Sequence, residues 1–395
     1  MQFSDLLLTS DSTMRDYYRR SYGRMRGYHM PRHFMEIPYW IPIVSSMLPD
    51  ERFAKELLVV ENLDDAFEQV QRGKSDSVFF FSAMDANIEA LLHLARTGAT
   101  FVVGGYVDPA LFEEFPDVHF LHNVEDLPAT LPGARDRGIL DYRLFRGLEC
   151  IPRYSLSSGC SLRCKFCTVP TKVVPTDPMT LESEVDALEP LDFRLVFLDD
   201  KSFGDAKNWR EIGNLRKRFE TVNPDFEGFI VQMPPSFAVR GDFLKECVEL
   251  GVRYVEFGVE TANDDLLKYL RKPFRMRHLR EACDRVRELG LYLVPNLIMG
   301  IPGDDYHGTV EWVREYVDII PAVNVNWLAT HFGNERGDLG LPAETFGDRD
   351  QNTAEKTWLS EAEAAAGRDA VELVYSLTDE YWQDRMTYPQ ERVVR

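Results

Sequence analysis

Cysteine is scarce in this sequence, and so is positive charge. Only 6 of the 395 residues are cysteine and none precedes Cys150, so no disulfide framework of the kind that staples small secreted domains can organise the leading segment. Lysine and arginine number 45 against 65 aspartate and glutamate, a formal net charge of −20. Such a surface repels nucleic acid unless basic residues gather locally. No apolar run approaches the roughly 18 residues needed to cross a bilayer. The start, M-Q-F-S-D-L-L-L-T-S-D-S, has neither the basic segment nor the apolar length of a secretory leader. These absences lead us to expect a cytoplasmic protein with no membrane span, in a compartment that keeps thiols reduced. At this length about two domains and a tail are expected, and no internal repeat is visible.

What the chain does have is half of its cysteines in one place. Cys160, Cys164 and Cys167 lie within S-S-G-C-S-L-R-C-K-F-C-T-V-P at C-x-x-x-C-x-x-C spacing. A four-iron, four-sulfur (4Fe-4S) cluster is normally held by four thiolates, so three cysteines packed this closely can hold one while leaving one iron without a protein ligand. A zinc knuckle or a disulfide pair is the alternative. Zinc sites, however, usually pair two C-x-x-C units or add a distant His pair, and neither follows here. Cys150, Cys247 and Cys283 are scattered, the latter two in apolar helical patterns that suit buried structural thiols.

From about residue 150 the chain alternates strand and helix patterns, as a parallel βα barrel does. I-P-R-Y-S-L delivers the cysteine loop, and Thr180 offers an N-cap for the next helix. Then come L-V-F-L-D-D, a helix from about Asp205 to Val222, F-I-V-Q-M, a helix from Gly241 to Leu250, and Y-V-E-F-G-V-E. Helices ending at Leu270 and at Leu289-Gly290 precede L-Y-L-V-P-N-L-I-M-G. A helix over about Thr309 to Ile320 and V-N-V-N-W-L-A complete six βα units. In such folds ligands sit at the carboxyl ends of the strands, where the cysteine loop also emerges.

The cysteine loop resembles the signature of the radical S-adenosylmethionine (SAM) superfamily, including Phe166 before the last cysteine and the Gly159-Cys160 pair. The resemblance implies a (βα)6 partial TIM barrel over residues 146–335. It also implies a 4Fe-4S cluster on Cys160, Cys164 and Cys167 whose open iron takes the amino and carboxylate groups of SAM, and reductive cleavage of SAM, usually to a 5′-deoxyadenosyl radical. It further implies a flavodoxin or ferredoxin-type electron donor. Asp199 or Asp200, or their carbonyls, then meet the SAM amino group, unless they are helix N-cap acids. Glu260 in E-F-G-V-E-T-A-N-D-D resembles the G-x-E-S segment, with Thr261 in place of serine, and serves the SAM ribose or amino group or else is a solvated helix-start acid. Gly300 and Gly303 of L-I-M-G-I-P-G-D-D would let backbone approach the adenine, followed by Asp304. Gln232 faces SAM or substrate, or is a satisfied core polar group. Asn324, Asn326, Trp327, Thr330 and His331 are read as lining the substrate side.

Residues 1–145 read as a small doubly wound, Rossmann-like sheet, with strands in K-E-L-L-V-V-E-N, S-V-F-F-F-S-A-M, T-F-V-V-G-G-Y and V-H-F-L-H-N. They resemble the cobalamin-binding domain that precedes the barrel in one radical SAM subgroup. S-A-M-D-A-N and the Gly104-Gly105 loop match its nucleotide-tail loops, at an expected switch point, and Tyr39, Trp40 and Ile41 sit where it encloses the corrin. The D-x-H-x-x-G motif that places a histidine on cobalt is absent, and the last loop reads H-N-V-E-D-L-P, so a degenerate domain that only covers the barrel mouth stays open. Ahead of it, Arg19, Arg20, Arg24 and Arg26 lie in a basic, aromatic run suited to an anionic ligand, to stacked single-stranded nucleic acid, or to pairing with the chain's acids. Residues 336–395 read as a helical tail. The functional expectation is radical SAM chemistry on a small-molecule substrate, with cobalamin-dependent methyl transfer as one form. The alternatives are aminocarboxypropyl transfer, RNA modification of the methylthiotransferase kind, and a non-catalytic iron–sulfur protein. The methylthiotransferases carry further cysteines in their leading domain, which this chain does not.

Overall fold

Long buried strands and one-sided helices organise the chain into two units. The computed structural model describes residues 37–58, 60, 63–84, 87–105, 107–147, 150–330, 339–341, 346–349, 351, 353–383 and 385. Among these, the first unit takes residues 37–150 with 182–192, and the second takes 151–181 with 193–385.

In the first unit, helices α1 (Trp40–Met47) and α2 (Leu63–Gly73) precede strand β1 (Val78–Ala83), helix α3 (Ile88–Ala95), and strands β2 (Thr100–Gly105) and β3 (Val118–Phe120). The strands form a parallel sheet in the order β1-β2-β3, cored by Phe79, Phe81 and Phe101. Two expectations change here. K-E-L-L-V-V-E-N forms no strand in its described residues, because Lys55 is drawn into a half-buried ion pair with Asp141 at 2.8 Å and another with Asp50. Nor does the strand order reverse among the described strands, so they make no switch point at Gly104-Gly105.

The second unit is a six-stranded parallel sheet. Its strands are β4 (Arg153–Tyr154), β7 (Leu195–Leu198), β8 (Gly228–Met233), β9 (Val252–Glu260), β10 (Tyr292–Met299) and β11 (Asn324–Trp327), and each pairs with the next. A two-stranded antiparallel ribbon, β5 (Ser157–Ser158) and β6 (Val174–Pro175), brackets the cysteine loop. Strands buried on both faces must be near-continuously apolar, which is why these read so clearly. The covering helices include α4 (Pro178–Ala187), α5 (Ile212–Val222), α6 (Phe243–Glu249), α7 (Asp264–Tyr269), α8 (Met276–Glu288), α9 (His307–Tyr316) and α10 (Glu361–Trp382). Phe219 of α5 packs edge-on against Tyr154 and Phe229, which marks that parity of the strands as outward. Residues of the other parity, Ile230 and Gln232 on β8, therefore face the barrel interior.

The helix expected from Asp205 starts only at Ile212, behind a 3-10 turn at Trp209–Glu211. The intervening side chains are used elsewhere. Asp205 accepts from the Ser161 amide at 2.8 Å, and the Asn208 amide donates to Leu156 O at 2.9 Å.

Candidate active site

The cysteine loop is held from three sides. Gly159, at φ +82°, closes its base: a Cβ there would lie 2.0 Å from Lys172 O. The Cys160 amide donates to Pro170 O at 2.9 Å, the Lys165 amide to Leu270 O at 3.0 Å, and the Cys167 amide to Cys164 O at 3.2 Å. Cys160 and Cys164 are buried and Cys167 is half-buried. Burial pushes the thiols of Cys160 and Cys164 up, and the Lys272 ammonium opposes this at Cys164. The three thiols do not meet at one point, since among the described residues no group of three His, Cys, Asp or Glu side chains could hold a single ion. A tetrahedral zinc site needs such convergence, whereas a cluster gives each thiolate its own iron. The loop thus fits a cluster better than a zinc ion.

Lys272, not anticipated from the sequence, lies beside this loop. It is buried, its Nζ donates to Glu260 Oε1 at 2.7 Å, and it lies 5.8 Å from the centre of the Phe166 ring. Glu260 is equally buried, ends β9, and has φ +65°. A left-handed backbone at a non-glycine residue costs free energy and is kept where the surroundings over-determine it. Gly258 leaves room for the pair: a Cβ there would lie 2.8 Å from Glu260 Oε1 and 3.1 Å from Lys272 Nζ. Phe166 itself packs on Leu270, Ile298, Ile301 and Leu328, which gives the loop an apolar flank.

The remaining candidates divide. Asp200 is buried, accepts from the Leu156 amide at 3.0 Å and from the Ser157 hydroxyl, and burial raises its pKa to about 6. It therefore ties β7 to the strand that enters the cysteine loop. Asp199 is paired with Arg153 and Lys201, both at 2.7 Å. Gly300, at φ +77°, is packed against Trp327 and Leu359, and its carbonyl accepts from Trp358 Nε1 at 3.1 Å. The C-terminal segment thus already accounts for this glycine. Gly303, at φ +80°, faces open space. Thr261 is buried against Thr309, and Asp304 accepts from the Tyr306 amide. Trp327 packs outward onto Gly367 of α10, so it does not line the interior. Thr330 is half-buried, while His331 and Arg19, Arg20, Arg24 and Arg26 lie outside the described residues.

Gln232 belongs to a set that the sequence reading did not assemble. Its Nε2 donates to Glu256 Oε1 at 3.2 Å, Asn296 Nδ2 donates to the same oxygen at 2.7 Å, and Asn324 Nδ2 donates to Asn296 Oδ1 at 2.9 Å. The available signal was a charged or amide residue inside otherwise apolar strands, at Glu256 and Asn296.

In the first unit, Gly105 is required by packing, because a Cβ there would lie 2.0 Å from Ala83 O, while Gly104 has open space. The Tyr39 hydroxyl donates to Glu184 at 3.2 Å, Trp40 is half-buried, and Ile41 belongs to the core. A cavity of ≈ 510 Å3 lies wholly in this unit, lined by the ion-paired Lys55, Asp141 and Arg143 among others.

A parallel half-barrel with a three-cysteine loop after its first strand defines an iron–sulfur enzyme class, and the comparisons name it. Residues 154–315 match the radical SAM superfamily, to which the chain belongs and whose members use a 4Fe-4S cluster and SAM. The chain is 25% identical over 312 residues to ribosomal protein uS12 methylthiotransferase RimO of Campylobacter fetus, covering 70% of each. It is 25% identical over 233 residues to a tRNA-2-methylthio-N(6)-dimethylallyladenosine synthase of Saccharopolyspora erythraea, covering 53% of this chain and 43% of that one. The chain spans less than half the length of several such relatives. Its fold is similar to that of the radical SAM methyltransferase TsrM from Kitasatospora setae, solved with tryptophan and a SAM analogue (TM-score 0.55, 15% identity, 88% of this chain and 87% of that chain). A second structure of that enzyme, with cobalamin and a [4Fe-4S] cluster, superposes with a TM-score of 0.53 at 15% identity, covering 91% of this chain and 93% of that chain. No helix among the described residues is long and apolar enough to cross a membrane.

Proposed function

We propose that this radical SAM enzyme acts on a small molecule, with Cys160, Cys164 and Cys167 holding the cluster and residues 146–335 forming the catalytic domain. When bound, the cluster supplies the electron that breaks a carbon–sulfur bond of SAM. The chain's own groups do the rest. The observation that carries the reading is the buried Glu260–Lys272 pair beside Cys164. It presents a fixed carboxylate to the SAM ammonium and a fixed ammonium to the SAM carboxylate, two charge-assisted contacts in a site from which water is largely excluded. Phe166 and its apolar flank offer a surface for the adenine, with Gly303 leaving the backbone open nearby. Asp200 holds the strand that delivers the loop, and Asp199 stays engaged with Arg153 and Lys201.

Residues 1–145 are proposed as a cobalamin-binding-like domain serving methyl transfer. The fold likeness over nearly the whole chain to a methyltransferase solved with cobalamin supports this. A second reading, sulfur insertion by a methylthiotransferase, is favoured by the sequence relatives, but no cysteine precedes Cys150 to hold a second cluster. An acidic chain also suits a small substrate better than RNA.

Anaerobic reconstitution with iron and sulfide, followed by metal and corrinoid analysis and assay of SAM products after dithionite reduction, tests the reading. About four irons per chain with 5′-deoxyadenosine or methyl transfer is expected, and bound corrinoid if the first domain serves methyl transfer. Replacing any of the three cysteines with Ala should abolish both cluster and SAM cleavage. Zinc in place of iron, with SAM untouched, would overturn it.

A further inference from the structure

The inner face of the barrel is layered. At its closed end, Tyr254 stacks on Tyr292 at 5.5 Å and Trp382 of α10 meets Tyr292 edge-on at 5.9 Å, all three buried. One level up, Gln232, Glu256, Asn296 and Asn324 form the hydrogen-bonded row described above, across four neighbouring strands in register. At the rim stand Glu260 and Lys272. Glu256 is four residues below Glu260, about 13 Å along a strand that rises ~3.3 Å per residue.

Three features make the middle layer a binding surface rather than core. First, β8 and β10 are buried at every position except Gln232 and Asn296, and on the same level β9 is opened by Gly258, so the accessible positions coincide with the polar row. Second, Asn324 is 4% exposed, yet its Oδ1 has no partner among the described residues. A buried acceptor left unmatched costs free energy unless something donates to it. Third, the row carries one carboxylate and no cation, and two amide donors on one oxygen suit a carboxylate anion. Asn326, half-exposed and on the same face as Asn324, extends the row toward the rim.

We infer that this row binds the substrate: a small molecule rich in N–H or O–H donors, neutral or cationic at the end that enters the barrel, and never anionic there. The inference rests on the reading that SAM occupies the rim, since it gives the layer beneath to a second molecule. Glu256 and Asn324 accept from the ligand, Gln232 and Asn296 orient Glu256, and the aromatic layer closes the space below. A phosphate or carboxylate at this depth would face Glu256 with no compensating charge.

The test uses the cluster-loaded protein and three sugars of one skeleton, D-glucosamine, D-glucose and D-glucuronate, with affinities measured by saturation-transfer NMR below neutral pH. The expected order is glucosamine, glucose, glucuronate, with about tenfold, or 1.4 kcal/mol, between first and last. Glu256→Gln should bring the three within about twofold, and Asn326→Asp, which adds a charge on the same face, should widen the spread. Equal affinities, tighter binding of glucuronate, or no binding of any sugar at tens of millimolar would overturn the inference. S-adenosylhomocysteine is measured in parallel. If Glu256→Gln weakens it as much as glucosamine, the row holds the nucleoside instead and the substrate assignment fails. A failed SAM-cleavage assay with the sugar order intact would sink the radical reading and leave the binding site standing.

Discussion

Lys272 and Glu260 stand within 2.7 Å of each other with almost no solvent. Burial pulls the Lys272 ammonium toward neutrality, but Glu260 and the nearby thiols outweigh this and hold its pKa up. Removing one member of such a pair strands the other charge, at a typical cost of about 3–5 kcal/mol. Lys272→Met should therefore lower the urea midpoint sharply, and the double variant Lys272→Met, Glu260→Gln should recover most of the loss. Equal losses in single and double variants would mean that the pair is not coupled. Asp200 gives a pH signature of the opposite sign to an ordinary salt-bridged acid. Its folded pKa, about 6, lies above the usual carboxylate value because of burial. The native state thus holds a proton that the unfolded chain has released. Its stabilising effect is complete below the unfolded pKa and is lost as pH rises through about 6. Urea unfolding of the wild type against Asp200→Asn should show the wild type losing stability relative to the variant across that range, and parallel curves would refute the assignment. The cysteines were legible because their spacing is local. Lys272, Glu256 and Asn296 were not, because what gives each its role is a partner 12 to 40 residues away.

At the level of elements, the strands of the barrel were legible because burial on both faces leaves apolar runs with nothing else to be. The segment before α5 was not, because Asp205 and Asn208 look like helix-start residues and instead tie down the cysteine loop and its strand. The loop's own closure depends on one glycine. With φ +82° and the Lys172 carbonyl 2.0 Å from where a Cβ would sit, Gly159→Ala cannot keep both the backbone and the return strand in place. We expect this variant to fold, because the clash is confined to the loop and the β5–β6 ribbon, but to take up well under half the iron of the wild type on anaerobic reconstitution. Full iron uptake would show that the loop is not shaped by this contact. Gly300 teaches the converse lesson. A glycine placed in a ligand-approach motif by resemblance proves to be spoken for by Trp327 and Trp358.

Across the whole second unit, the sheet is open at both edges, β4 and β11, and its closed end depends on a residue far along the chain. Trp382, 3% exposed, packs on Tyr292 and donates from Nε1 to Val317 O at 2.8 Å, just ahead of β11. Helix α10, which the sequence marked only as a tail, thereby joins the end of α9 to the floor of the barrel, while Gly367, higher on the same helix, lets Trp327 approach. Removing a fully packed tryptophan side chain typically costs about 3–5 kcal/mol. Trp382→Ala should therefore destabilise the second unit by that order in urea unfolding. Iron uptake should persist, since the cysteine loop is anchored at the carboxyl ends of the strands by Gly159, Pro170 and Leu270 and makes none of its hydrogen bonds to α10. Loss of iron binding in step with stability would instead mean that the two ends of the barrel form and melt as one cooperative body, with α10 as necessary to the metal site as the loop itself.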